Sequence, residues 1–228
     1  MGSGTTLHII SEPEAAAIYS LDAMDPHGLE VGDTFVVCDA GGGTVDLITY
    51  NVSALKPILK LSEVSIGSGL LCGSSFLNRR FEQFIKAKLG NEPGWDNDVL
   101  EEAMKRFEHG VKRQFCGRFG EHFLIPVPGL ADNAALGIKR NKMTLAGTEV
   151  RMIFEPVLNE VTKLVMGQLK SSKKDVKSVL LVGGFGQSAY LRDSIRKEVK
   201  SAFSAKTEVM QPPNGYVQIS MVNREDAR

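Results

Sequence analysis

An excess of charge of either sign is the first thing this chain of 228 residues lacks, since Lys plus Arg and Asp plus Glu stand at 27 each. With a pI near 6.9 it has no long-range field to gather a polyanion, so nucleic acid is not expected as a partner. Cysteine is scarce as well. Cys38, Cys72 and Cys116 are odd in number and widely spaced, without any Cys-x-x-Cys pair. That argues against a disulfide framework and against a zinc site, and favours a reducing, intracellular, cytoplasmic setting. Long hydrophobic runs are missing too. The stretch SVLLVGGF falls far short of the roughly 20 residues that span a bilayer, and no basic-then-apolar leader opens the chain. No membrane partner is expected. Internal repeats and low-complexity segments are also absent. The opening Met1-Gly2-Ser3-Gly4 reads as an artificial leader, so a piece of a longer protein is the expectation.

What is there is ordinary globular material: 43% hydrophobic and 24% charged residues, enough for one large or two modest domains. A short apolar run, LHII, leads through Glu12-Pro13 into an Ala-rich helical stretch, with Pro13 suited to the first turn. Three β-rich segments follow, at 34 to 40, 44 to 52 and 57 to 66, the first two joined as a hairpin. Beyond Gly73 the texture turns helical. SSFLNRRFEQFIKAKL places Phe76, Phe81, Phe84 and Ile85 on one face, and DNDVLEEAMKRFEHGVKRQF does the same with Val99, Met104, Phe107 and Val111. HFLIPVPGL and NKMTLAG predict short strands, and EVRMIFEPVLNEVTKLVMGQLK a long helix with Pro156 as the place for a kink. A buried strand at 178 to 182 runs into Gly183-Gly184, and a helix over QSAYLRDSIRKEV follows.

Three segments have the residue types that chemistry needs. DAGGGTVD, residues 39 to 46, sets three glycines between two carboxylates at the tip of the expected hairpin. Glycines can turn successive N–H groups toward one anion, and Asp39 or Asp46 could hold Mg²⁺ or its water shell beside it, with Thr44 donating to a phosphate oxygen. On the octamer alone a plain hairpin turn and a phosphate cradle both remain open. VLLVGGFGQSAYL is a second strand, glycine pair and helix start where backbone can approach a ligand closely. It is not a Walker loop, because no Gly-Lys-Ser/Thr follows, and GSGLLCG misses the dinucleotide glycine spacing. Glu12, between an apolar strand and a helix, is the third candidate, with a helix cap as its plain alternative.

The order SEPEAAAIYSL, VVCDAGGGTVDL, GSGLLCGSSF, VLLVGGFGQSAYL resembles the second half of the nucleotide-binding domain of the seventy-kilodalton heat-shock chaperones, within the actin and sugar-kinase ATPase superfamily. The resemblance runs from about Leu7 to about Gly215, and DAGGGTVD is its most specific element. CGSSF, in place of a glycine-glycine-acidic-acidic pattern, and GGFGQS are closer to the divergent twelve-type and fungal branch. The implied fold is α/β, an actin-like ATPase second lobe with a ribonuclease-H-like core at 5 to 72 and 176 to 228. A helical and β-hairpin subdomain is inserted at 73 to 175.

That resemblance also implies roles. Asp39 organises the Mg²⁺ water shell; Gly41, Gly42, Gly43 and Thr44 contact the β- and γ-phosphates of ATP or ADP; Asp46 and Glu12 lie near the metal and the attacking water. Gly73 sits by the ribose, while Gly183, Gly184 and Phe185 line the nucleoside. Glu108 and Lys112 are the implied ribose and base contacts, with Val111 and Arg113 as alternatives to Lys112. Gln187 stands where the family stacks an arginine on adenine, and a neutral amide supplies neither the cation nor the planar stack, which leaves base preference open. The first phosphate loop and the γ-phosphate lysine of the first lobe are not found in these residues. The expectation is therefore a chain that folds, binds Mg-ATP weakly and does not turn it over without its first lobe. A client or co-chaperone is the implied protein partner. A scaffold that keeps the fold without the activity and a small-molecule kinase of the same superfamily are the alternatives.

Overall fold

The computed structural model describes residues 28–57, 59–203 and 207–212, together with Ala15, Ile18, Tyr19 and Leu21. Glu12 and the apolar run before it lie outside the described residues. The main sheet is mixed and has five strands, in the order β3-β2-β1-β7-β8. These are β1 (Thr34–Ala40), β2 (Val45–Ala54), β3 (Lys60–Leu70), β7 (Val176–Val182) and β8 (Glu208–Met210). β1 is central. Its TFVVCDA sequence is buried on both faces, as a strand covered from two sides requires.

β1 pairs antiparallel with β2, Asp39 facing Asp46, and parallel with β7, Asp39 alongside Val182. The loops that leave β1 and β7 therefore emerge side by side at the carboxyl ends of two parallel strands, where open α/β sheets place their ligands. On one face of the sheet Val36, Cys38, Val45 and Leu47 join the larger core; on the other, Phe35, Val37, Tyr50 and Val52 pack with Leu21 and Leu180. Strand alternation decides this split, since residues two apart share a face.

β3 runs from Lys60 to Leu70 rather than over 57 to 66, so it takes in Gly67 and Gly69 of the GSGLLCG stretch. The glycines fit because the strand lies close on β2: a Cβ at Gly67 would stand 2.9 Å from the Leu47 carbonyl oxygen. β3 is an edge strand, tied across the sheet by Gln168. That amide is 3% exposed. It donates to Thr49 Oγ1 (2.9 Å), Ser65 Oγ (3.1 Å) and the Ile66 carbonyl (3.3 Å), and accepts from Ser68 Oγ (2.8 Å).

Helix α1 (Ser75–Leu89) buries Leu77, Phe81, Ile85 and Leu89, a stripe of one residue every four. Phe76 and Phe84, expected in the stripe, flank it half-buried and hold Arg79 and Lys88 over their rings. Helix α2 (Asn97–Arg106), capped by the Asp96 carboxylate on the Val99 amide (2.9 Å), passes into a π-helical turn, Phe107–Val111, and a last α-helical turn, Lys112–Gln114. In it Ala103 rather than Met104 is fully buried.

A three-stranded antiparallel sheet, β4 (His122–Pro126), β6 (Lys142–Ala146) and β5 (Ile138–Lys139), follows. Helix α3 (Gly147–Ser171) then runs 25 residues as one element through Pro156 and packs on α1, β2 and β3. After β7 come a four-residue turn, α4 (Gly183–Gly186), and helix α5 (Ala189–Ala202). α5 begins two residues later than Gln187, because Ser188 is its N-cap and accepts from the Leu191 amide at 3.3 Å. No helix among the described residues is long and apolar enough to cross a membrane.

Candidate functional site

The loop Gly41–Thr44 is a hairpin turn, closed by the Gly41 amide on the Thr44 carbonyl at 2.9 Å. A second set of bonds gives it a direction. The amides of Gly73, Ser74 and Ser75, at the start of α1, donate to the carbonyls of Gly43 (3.1 Å), Gly41 (3.1 Å) and Gly42 (2.8 Å). The loop thus caps α1, whose Ser74 side chain makes no capping bond. In a trans peptide the carbonyl of one residue and the N–H of the next point opposite ways. With the Gly41, Gly42 and Gly43 carbonyls turned to α1, the amides of Gly42, Gly43 and Thr44 turn away from it. None of those amides has a partner among the described residues, and all three residues are exposed.

The reason for glycine here differs from the one the sequence suggests. None of Gly41, Gly42 and Gly43 adopts a positive φ, and a Cβ at Gly42 or Gly43 would meet nothing within 4 Å. The protein alone could hold side chains at both positions. Open space over three outward amides is what a closely approaching anion requires.

The two carboxylates are each walled by a glycine. A Cβ at Gly183, where φ is +80°, would run into Asp39 Oδ1 and the Ala40 carbonyl, and a Cβ at Gly69 would run into Asp46 Oδ1. Gly73 is held the same way, because a Cβ there would strike the Gly42 carbonyl and stand 2.7 Å from that of Gly41. Asp39, Asp46, Ser68 and Gly69 line a cleft of about 410 Å³. No group of three or more His, Cys, Asp or Glu side chains able to hold an ion is present among the described residues. Two carboxylates facing each other across a hairpin, open to solvent on one side, suit a hydrated Mg²⁺ that keeps most of its waters.

Beneath this surface Cys38 and Cys72 are buried thiols. Burial pushes the Cys72 thiol up to about 11, helped by the negative charges of Glu160 and Asp46, and pushes Cys38 higher. Both stay protonated near neutrality and act as packing atoms.

Glu108 and Lys112 are brought together on the π turn and the turn after it. Lys112 Nζ donates to Glu108 Oε1 (2.8 Å) and to Asn78 Oδ1 of α1 (3.1 Å), while Asn78 Nδ2 donates to Glu108 Oε2. Burial pushes the Glu108 carboxyl up, but the Lys112 hydrogen bond and charge together with the Asn78 bond bring it below the usual glutamate range. Val111 is fully buried in the larger core and Arg113 is exposed, so Lys112 is the one of the three whose charged end meets Glu108.

At the other glycine pair, Gly184 is exposed, Phe185 is 4% exposed within the larger core, and Gln187 is half-buried. The Gln187 Nε2 atom is itself covered and has no hydrogen-bond partner among the described residues.

Residues 5–210 match the family model described as Hsp70 protein. The chain belongs to the Hsp70 family. Hsp70 proteins carry an actin-like nucleotide-binding chaperone ATPase domain, and the mixed sheet with its flanking helices has that α/β character. The Hsp70 ATPase domain generally binds ATP and Mg, and the family generally binds client or co-chaperone proteins.

Asn78, Ser68 and Gly69 join the Hsp70 site residues although the sequence did not single them out. Asn78 carries a signal in hindsight: a short amide inside a helix competes with the backbone unless something else holds it. Gly69 has only its place in an alternating strand, which gives no hint of the carboxylate beside it.

Proposed function

We propose that this chain is the second lobe of an Hsp70-type ATPase domain and supplies one wall of a Mg-ATP site. The observation that carries this reading is the set of three outward amides at Gly42, Gly43 and Thr44 beside Asp39 and Asp46. In it the amides and the Thr44 hydroxyl hold the β- and γ-phosphate oxygens, each amide acting as a charge-assisted donor. Asp39 and Asp46 hold Mg²⁺ through its water shell, and the ion, when bound, neutralises phosphate charge. Gly73 leaves room for the ribose, Glu108 and Lys112 contact it, and Gly183, Gly184 and the Phe185 backbone border the nucleoside. Glu12 belongs with Asp46 near the attacking water. The core spans 5 to 72 and 176 to 228, with 73 to 175 as the insertion. The setting is cytoplasmic, and clients or co-chaperones are the protein partners.

Hydrolysis also draws on a first phosphate loop and a lysine that residues 1–228 do not contain, so the chain by itself binds weakly and does not turn ATP over. A calorimetric or NMR titration with ATP, with and without Mg²⁺, tests this. Mg-dependent binding abolished by Asp39→Ala is the expected result; Mg-independent binding unaffected by Asp39→Ala would sink the reading, and so would turnover at an intact chaperone's rate. Gln187 favours a second reading, an Hsp70-like scaffold that has relinquished catalysis, because its covered amide stands where the family places a cation. If the chain joined to its first lobe binds clients equally well with Asp39→Ala, the scaffold reading is the right one.

A further inference from the structure

The first turn of α1 is fastened at both ends of the site. Its leading amides, from Gly73 to Ser75, are bound to the glycine-loop carbonyls. Asn78 lies three residues beyond Ser75, about 4.5 Å further along the helix axis, and its amide closes the Glu108–Lys112 pair from the opposite side. Phe81, three residues on again, stacks on Phe107 at the start of the π turn, with ring centroids 4.2 Å apart and planes 4° from parallel. One rigid helical segment thus joins the loop that carries the outward amides to the turn that carries Glu108 and Lys112.

We infer that Asn78 is a positioning residue for the nucleoside end of the site, presetting the Glu108 carboxylate and the Lys112 ammonium and coupling their placement to the phosphate loop through α1. The chemistry of its amide fits both neighbours. Oδ1 accepts from the cation and Nδ2 donates to the anion, so one neutral side chain fixes the orientation of a charged pair without competing for either charge. Lys112 has little freedom left, with 11% of its side chain exposed, while Glu108 keeps 38% exposed and an edge open to a ligand hydroxyl. Without Asn78 the pair still forms through its i,i+4 spacing, but neither group is aimed. This inference rests on the Mg-ATP reading above.

The test compares Mg-ATP, Mg-2′-deoxy-ATP and Mg-tripolyphosphate as ligands for the wild-type chain, Asn78→Ala and Asn78→Asp, by NMR titration. Asn78→Asp still accepts from Lys112 but loses the donor and sets a like charge against Glu108. Both variants are expected to weaken Mg-ATP about tenfold, the effect of a misplaced charged hydrogen-bonding group. Tripolyphosphate affinity should stay within about twofold, and the preference for ATP over the deoxynucleotide should shrink. The Glu108 side-chain carboxyl carbon, titrated in the same samples, should show its pKa rising toward 4.5, its ordinary value. Equal losses for ATP and tripolyphosphate would make Asn78 a merely structural residue and overturn the inference, as would unchanged ATP binding in both variants. Absence of ATP binding by the wild-type chain would overturn the Mg-ATP reading itself, and this inference with it.

Discussion

Replacing Gly43 by alanine should raise stability and lower nucleotide affinity at once, a pairing that few substitutions produce. The added Cβ meets nothing within 4 Å, and Gly43 has no left-handed φ for a side chain to strain. In the absence of ligand the substitution therefore acts mainly on the unfolded chain, restricting its backbone, which stabilises by about 0.4–1 kcal/mol. The bound state differs. A methyl group standing over the amides of Gly43 and Thr44 keeps an anion from reaching them, and losing one charge-assisted bond costs about 1.5–3 kcal/mol, or roughly 10–150-fold in Kd. Urea denaturation gives the first quantity and a Mg-ATP titration of the same sample the second. Gly73→Ala is the control. Its Cβ would press on the Gly41 and Gly42 carbonyls, which are fixed backbone bound to α1, so a loss of about 1–3 kcal/mol is expected from overpacking. A Gly43→Ala chain that is clearly less stable, or that binds Mg-ATP like the wild type, would refute the claim that these amides face a ligand.

Other features lend themselves to single measurements. Glu108 has a folded pKa held below 4.5, so the stability it contributes is present above that pH and is lost as pH falls through the depressed folded value. Lys112→Met should bring the Glu108 carboxyl titration, followed by NMR, up toward or beyond 4.5. Gln168→Met keeps much of the side-chain shape but strands Thr49 Oγ1, which is fully buried, and frees Ser68. A loss of about 2 kcal/mol or more in urea denaturation is expected. Ser178 is 2% exposed and its hydroxyl has no partner among the described residues, so Ser178→Ala should melt no lower than the wild type and gain up to about 1 kcal/mol.

Alternation and glycine punctuation made the main sheet legible: β1 was readable to the residue and β7 nearly so, because both are unbroken apolar runs ending at a turn. β3 was misplaced by several residues. It is an edge strand with few buried positions, and its glycines read as a loop when in fact they let it lie flat against β2. The helical stripes were found with single-residue errors, Phe76 for Leu77 and Met104 for Ala103, because large side chains at the border of a face look like core until the neighbouring helix is known. Spacing alone could pair Glu108 with Lys112, whereas Asn78 meets them through tertiary packing, across 30 and 34 residues of sequence. The glycine loop was the most instructive case. Turn and cradle were rival readings of the octamer, and they are one object, since α1 draws the carbonyls of a hairpin turn to one side and leaves its amides on the other.

The π turn at Phe107–Val111 makes the length of that helix a functional quantity in its own right. It holds one residue more than regular α-helix would need to travel the same path, as π turns do. Deleting Gly110 would let the helix relax to a regular spiral and swing everything after the deletion about 100° around the axis. Lys112 would leave Glu108 and Asn78 although no side chain of the cluster had changed. In this segment an insertion or deletion is a sharper lesion than any substitution.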